Sequence, residues 1–259
     1  MITIATTKED NFKIKPAQLN KAITPKTKLL ILNSPSNPTG MVYAKAELEA
    51  IARALIKKDV FCVSDEIYEK IIYDNQEHIS IASLSPDIKK RTLVINGVSK
   101  SYAMTGWRIG YAAGPVEIIQ AMNNLQSHST SNPTSISQKA AVAALTGPPE
   151  QLDKMVDEFK KRRDYMMERL SKLKGLSCLK PQGAFYVFVD ISNILGKSYG
   201  GARIKDSFSL AEILLSEANV AVVPGSVFGA DGYIRLSFAT SMENISKGLD
   251  RIKEFITKL

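Results

Sequence analysis

Three short apolar runs, at 27–32, 60–63 and 92–95, each pass directly into a cluster of polar or small residues. Between the first two runs, Leu48, Ile51, Ala52, Leu55 and Ile56 recur at helical spacing within 45–58. Short buried runs alternating with an amphipathic helix describe repeated βα units, which build a mostly parallel sheet. In such a sheet the polar clusters at 33–40, 64–68 and 96–100 gather along one edge. That edge is where open α/β sheets bind ligands.

Each cluster has an ordinary reading and a chemical one. Asn33-Ser34-Pro35-Ser36-Asn37-Pro38-Thr39-Gly40 carries prolines and a glycine that rule out regular structure, so on its own it is a turn. Asp65 serves as readily as a helix N-cap as it does as a ligand. Tyr68 shares a face with Asp65 if a helix begins there, and is otherwise a half-buried tyrosine. The third cluster runs Gly97-Val98-Ser99-Lys100-Ser101-Tyr102-Ala103-Met104-Thr105-Gly106-Trp107-Arg108-Ile109-Gly110-Tyr111. A lysine held just past a strand end, stripped of water and near other cations, is a neutral amine able to attack a carbonyl. By position alone Lys100 is equally one solvated cation among 34 Lys+Arg.

The remaining pattern predicts a strand at 1–5, a helix at 16–23, a strand fragment at 71–73 and a surface loop at 83–87. It then predicts a strand at 107–113 and helices at 115–126 and 133–145. Thr146-Gly147-Pro148-Pro149 breaks the helical pattern, so the chain divides into residues 1–146 and 147–259. Beyond the break, a long helix at 150–173, strands at 185–189, 220–223 and 233–238, and helices at 207–218 and 243–259 make a smaller α+β domain. Arg235 stands between Ile234 and Leu236 in an alternating strand and so projects from the face opposite them, as a solvated arginine or as a ligand.

Composition narrows the classes. The net charge of +8 raises the question of nucleic acid, but Lys160-Lys161-Arg162-Arg163 is interleaved with Asp157 and Glu158 and reads as a solvated helix face. No aromatic-basic alternation of a nucleic-acid groove is present in the sequence. No apolar run approaches the roughly 20 residues of a membrane span. The opening residues are too short and too polar for a signal peptide. Cys62 and Cys178 lie in apolar runs, as buried thiols of a reducing, cytoplasmic setting. With His78 and His128 as the only histidines and no ligand-spaced partners, no metal site is expected.

The stretch around Lys100 resembles the cofactor attachment site of class I aminotransferases of the prokaryotic aspartate aminotransferase type. Gly, Ser, Lys, Gly, Arg and Gly are each in register. The Asn-Pro-Thr-Gly run at 37–40 and the Arg-Leu-Ser-Phe-Ala run at 235–239 extend the resemblance over nearly the whole chain. It implies a fold-type I α/β transferase with pyridoxal 5'-phosphate bound to Lys100 as a Schiff base. Arg108, with help from Ser99, would hold the phosphate. Asp65 would keep the pyridine nitrogen protonated, and Tyr68 and Asn37 would bond the ring hydroxyl. The Asn37–Pro38 bond would be cis. Asn37 and Arg235 would hold the substrate, Arg235 by clamping its α-carboxylate.

The implied activity is transfer of an amino group from an L-amino acid, aspartate foremost, to a 2-oxo acid such as 2-oxoglutarate, by a cytoplasmic homodimer. A pyridoxal-phosphate lyase cleaving a C–S bond, and a non-catalytic fragment of the same fold, are the alternatives. The chain departs from the family in two respects. Gly97 stands where many relatives have a phosphate-binding serine. The family's N-terminal part, with its glycine-rich phosphate loop, has no counterpart here, so the chain reads as N-terminally truncated.

Overall fold

A computed structural model describes residues 2–259. Its contacts divide the chain into two compact units, one of residues 1–36 and 41–154, the other of residues 37–40 and 155–259. The division falls inside a helix that begins at Glu150, a few residues beyond the Thr146–Pro149 break.

In the first unit, α1 (Pro16–Ala22), β1 (Leu29–Asn33), α2 (Lys45–Lys58), β2 (Phe61–Asp65), α3 (Pro86–Lys89), β3 (Thr92–Gly97) and β4 (Gly110–Ala113) follow in order. They lead to α4 (Val116–Ser129) and α5 (Ser135–Thr146). The four strands form one sheet in the order β1-β2-β3-β4. The first two pairings are parallel, Asn33 beside Asp65 and Asp65 beside Ile95; β3 and β4 are antiparallel.

Helix α2 forms where its apolar stripe dictates, burying Leu48, Ile51, Ala52 and Leu55 against Leu32 and Cys62. Asp59 ends it in the left-handed conformation, φ 51°. The core lies on that side of the sheet. On the other side Ile31 is 65% exposed, unlike the two-sided cover usual for parallel sheets.

Several expectations change here. Residues 2–7 form no strand, and residue 1 lies outside the described residues. Ile4 packs against the core without joining a ladder, and an isolated extended segment has no partner for its backbone groups. The stretch at 83–87 is not a plain loop: it runs from the last residue of a 3₁₀ turn, Ile81–Ser83, into the start of α3, whose N-cap Ser85 accepts from Ile88 N. Residues 67–70 form a turn, so Tyr68 is on no helix.

The second unit contains most of α6 (Glu150–Ser171). It continues with β5 (Ser177–Cys178), β6 (Tyr186–Asp190), β7 (Ser198–Tyr199), β8 (Ala202–Arg203), α7 (Ser207–Ala218), β9 (Val223–Pro224), β10 (Tyr233–Ser237) and α8 (Met242–Thr257). Its main sheet has the order β5-β6-β10-β9, all antiparallel, with β7 and β8 a separate hairpin. Val187, Val189, Ile234 and Leu236 from the sheet and Ile245, Leu249, Ile252 and Phe255 from α8 are buried. Asp206 caps α7 by accepting from Ser209 N, and Ser241 caps α8 by accepting from Asn244 N.

Arg163 corrects the reading of 160–163 as a solvated face. It is fully buried, at 0% exposure. The helical period explains it, since Phe159, Arg163, Met166 and Leu170 fall on one stripe of α6.

Candidate active site

In the first unit, the ends of β2 and β3 lie side by side. Asp65 closes β2: its carbonyl accepts from Ser34 N and Asn33 Nδ2, both at 3.1 Å. Its carboxylate Oδ1 accepts from Ile67 N at 3.2 Å, which bends the chain away from the sheet. Asp65 is therefore a strand end with an Asx turn, not a helix cap. Tyr68 follows in the turn and is buried, at 3% exposure.

Glu66 is equally buried and is the most heavily bonded carboxylate here. Its Oε1 accepts from Ser64 Oγ at 2.8 Å and Ser80 Oγ at 2.7 Å, and its Oε2 lies 2.8 Å from His78 Nε2. Burial alone would raise this carboxyl; the bonds from His78, Ser80 and Ser64 outweigh it and hold the group below the usual carboxylate range. Glu66, Glu69 and His78 have potential ligand atoms within 4.8 Å of one another, a grouping that chain spacing does not reveal.

Beyond β3 the chain turns at Val98–Ala103, with Tyr102 N bonded to Val98 O and Ala103 N to Lys100 O, each at 3.2 Å. Lys100 and Ser99 are half-buried on this turn. The Lys100 side chain makes no hydrogen bond or ion pair among the described residues, and the buried Oγ of the next residue, Ser101, has no partner. Arg108 takes a left-handed backbone, φ 53°, and donates from Nη1 to Thr105 O at 2.8 Å.

Lys100 and Arg108 thus sit on one loop, closed at its base where Gly97 pairs with Gly110. A Cβ on Gly97 would come within 3.0 Å of Gly110 Cα and of Ile109 O. A larger residue at 97 would need these neighbours to give by a few tenths of an ångström.

The second unit brings two expected residues together. Arg235 Nη1 donates to Asn37 Oδ1 at 2.7 Å. The guanidinium carbon stands 4.3 Å from the ring centre of Tyr186 and 5.2 Å from that of Phe228. Arg235 Nε is buried without a partner. Arg235 is therefore not a solvated strand residue, because two rings and an amide cover it. The bond preceding Pro38 is cis, as is Ser34–Pro35.

The Lys100 amine and the buried Ser101 Oγ in the first unit, and Arg235 Nε in the second, are polar groups left open to a ligand. Residues 1–252 match the family model described as aminotransferase class I and II. This chain belongs to that family.

Among the relatives of this aminotransferase-family chain, the aspartate aminotransferase of Geobacillus stearothermophilus is 52% identical over 248 residues, covering 96% of this chain and 62% of that protein. The aspartate/prephenate aminotransferase of Cereibacter sphaeroides is 48% identical, covering 100% of this chain and 65% of that protein. The chain spans less than two thirds of the length of these relatives.

The crystal structure of an aspartate aminotransferase from Rhizobium meliloti superposes with a TM-score of 0.96 at 44% identity, covering 100% of this chain and 65% of that one. An aromatic aminotransferase from Pyrococcus horikoshii does so with a TM-score of 0.91 at 40% identity, covering 99% and 67%. The fold is that of the fold-type I transferases.

Some neighbours of the expected residues carry no local signal in the sequence. Pairing of β6 with β10 brings Tyr186 to Arg235, and Phe228 comes from the turn Gly225–Phe228. Glu66 is marked only by standing between Asp65 and Tyr68.

Proposed function

We propose that this polypeptide is an aspartate-preferring aminotransferase chain that binds pyridoxal 5'-phosphate through Lys100 and moves an amino group to a 2-oxo acid such as 2-oxoglutarate. The observation that carries the reading is the Lys100 amine, unpaired at the end of β3 beside the β2 end that bears Asp65. Family membership and the names of the relatives support it. The buried, partnerless Ser101 Oγ supports a polar group seated at this loop.

When bound, pyridoxal phosphate supplies an aldehyde that condenses with amines and a protonated ring that takes up the electron pair left at a substrate Cα. Lys100 Nζ would be the amine that holds this group, and, freed, the base that would take a proton from the substrate Cα and return it. The Asp65 carboxylate would keep the ring nitrogen protonated, because an anion nearby favours the charged form. Tyr68 and Asn37 would donate to the ring hydroxyl, and Arg108 with Ser99 would hold the phosphate. The Arg235 fork takes the α-carboxylate of the amino acid, for which a planar guanidinium is better shaped than an ammonium. In this reading residues 1–146 belong to the cofactor domain and 147–259 form the small domain of a cytoplasmic homodimer.

The test is borohydride reduction of the purified protein with pyridoxal phosphate, followed by peptide mass spectrometry. The expected result is a pyridoxyl adduct on Lys100, together with 2-oxoglutarate-dependent consumption of aspartate. Adducts spread over surface lysines with none enriched at Lys100 would overturn the assignment. Consumption of amino acid without need of an oxo acid would point to elimination chemistry.

A further inference from the structure

The second unit buries one complete guanidinium that the proposed chemistry does not use. Arg163 on α6 has no exposed surface. Its Nε and Nη2 donate to Asp164 Oδ1 at 3.0 and 2.8 Å, and its Nη1 donates to Pro181 O at 3.0 Å. Asp164 is itself 45% exposed and also pairs with Lys180 at 3.2 Å, so the ion pair alone is a weak reason to bury a cation. An apolar side chain of similar volume would fill the same space without the desolvation cost. What the arginine adds is a directed hold on the Pro181 carbonyl.

That carbonyl opens a strap of backbone with two attachments. Gln182 N and Gly183 N both donate to Gly40 O, at 2.9 and 2.8 Å. Gly40, at φ +70°, closes the segment that begins at Asn37, and a Cβ on it would lie 2.6 Å from Pro181 Cβ. At its other end the strap passes through Ala184, itself at φ 56°, into Phe185 and Tyr186. Phe185 O accepts from Phe238 N at 3.0 Å, which ties this end to the strand of Arg235. The strap therefore fixes both Asn37, which bonds Arg235, and Tyr186, on which Arg235 lies.

We propose that Arg163 is a positioning residue for Arg235, acting through the strap at 181–184 to set the Asn37 amide and the Tyr186 ring against the guanidinium. The proposal rests on the reading that Arg235 receives a substrate carboxylate.

The experiment compares wild type, Arg163→Met, Arg163→Lys and Arg235→Met as full chains carrying pyridoxal phosphate. Calorimetry gives the dissociation constant of succinate, an unreactive dicarboxylate, and initial rates give KM and kcat for aspartate. Arg163→Met is expected to weaken succinate and raise KM roughly tenfold, with kcat changed by less than about threefold, because the loss is in carboxylate orientation. Arg163→Lys, which keeps a donor toward Pro181 O, is expected to fall between the two and supplies the answer if Arg163→Met does not fold. Succinate affinity lost in Arg235→Met but unchanged in the folded Arg163 variants overturns the positioning role alone. Affinity unchanged in Arg235→Met overturns the carboxylate reading and the proposal with it.

Discussion

Arg235 and Asn37 stand 198 positions apart in the chain and meet through a hydrogen bond of 2.7 Å. The contact is internal to the second unit, because residues 37–40 make their contacts there although the chain on either side belongs to the first. An asparagine in a proline-rich turn and an arginine in a β-strand thus become one construction, with the guanidinium partly satisfied and its Nε left over.

Replacing Arg235 by lysine keeps the charge and loses the planar fork. Hydrogen bonds to charged groups are worth about 1.5–3 kcal/mol, so KM for aspartate should rise roughly ten- to a hundredfold. Steady-state kinetics of Arg235→Lys checks this, and a KM within twofold of wild type would speak against a carboxylate clamp.

Gly40→Ala should destabilise the protein by about 2–4 kcal/mol, from the left-handed backbone and from overpacking. The new Cβ would stand 2.6 Å from Pro181 Cβ and 2.8 Å from Gly183 O. Urea unfolding monitored by circular dichroism should show the midpoint fall; an unmoved midpoint would mean that the strap yields freely.

The Glu66 carboxyl is held low by bonds from His78, Ser80 and Ser64 that outweigh its burial. Its contribution to stability is complete above the unfolded value of about 4.3 and is lost as pH falls through the lower folded value. Denaturant midpoints between pH 3 and pH 7 should therefore drop at the acid end. Glu66→Gln should flatten that drop while costing about 1–3 kcal/mol at neutral pH. A drop of the same size in the variant would assign it to other carboxylates.

Burial, with Glu66 nearby, pushes the Cys62 thiol up to about 12, whereas Cys178 is only half-buried. A thiol reagent at pH 8 should label Cys178 in the native protein and Cys62 only after unfolding, because the thiolate is the reacting species. Mass spectrometry of the labelled peptides reads the order, and early labelling of Cys62 would contradict the packing of β2.

Much of the frame was legible from periodicity. Helices 45–58 and 207–218 form at the bounds the pattern indicates, since their apolar stripes and polar ends agree. The opening strand at 1–5 was misread, because alternation of apolar residues says nothing about whether a neighbouring strand exists to pair with. Arg163 was misread for a related reason: a basic cluster looks solvated until one of its members is seen to share a stripe with Met166 and Leu170.

By itself the sequence determined the residue types and their order: a lysine past the end of β3, a carboxylate at the end of β2, and an asparagine and arginine in motifs of an aminotransferase family. Those follow from local pattern and resemblance, which need no knowledge of distant contacts. Tertiary structure alone decided which side chains complete each construction. The Gly97–Gly110 approach that puts Lys100 and Arg108 on one loop, the aromatic rings around Arg235 and the strap held by Arg163 all join residues that only strand pairing and burial bring together. Hydrogen bonds and ring contacts act over a few ångströms in space, and separation along the chain does not encode that distance.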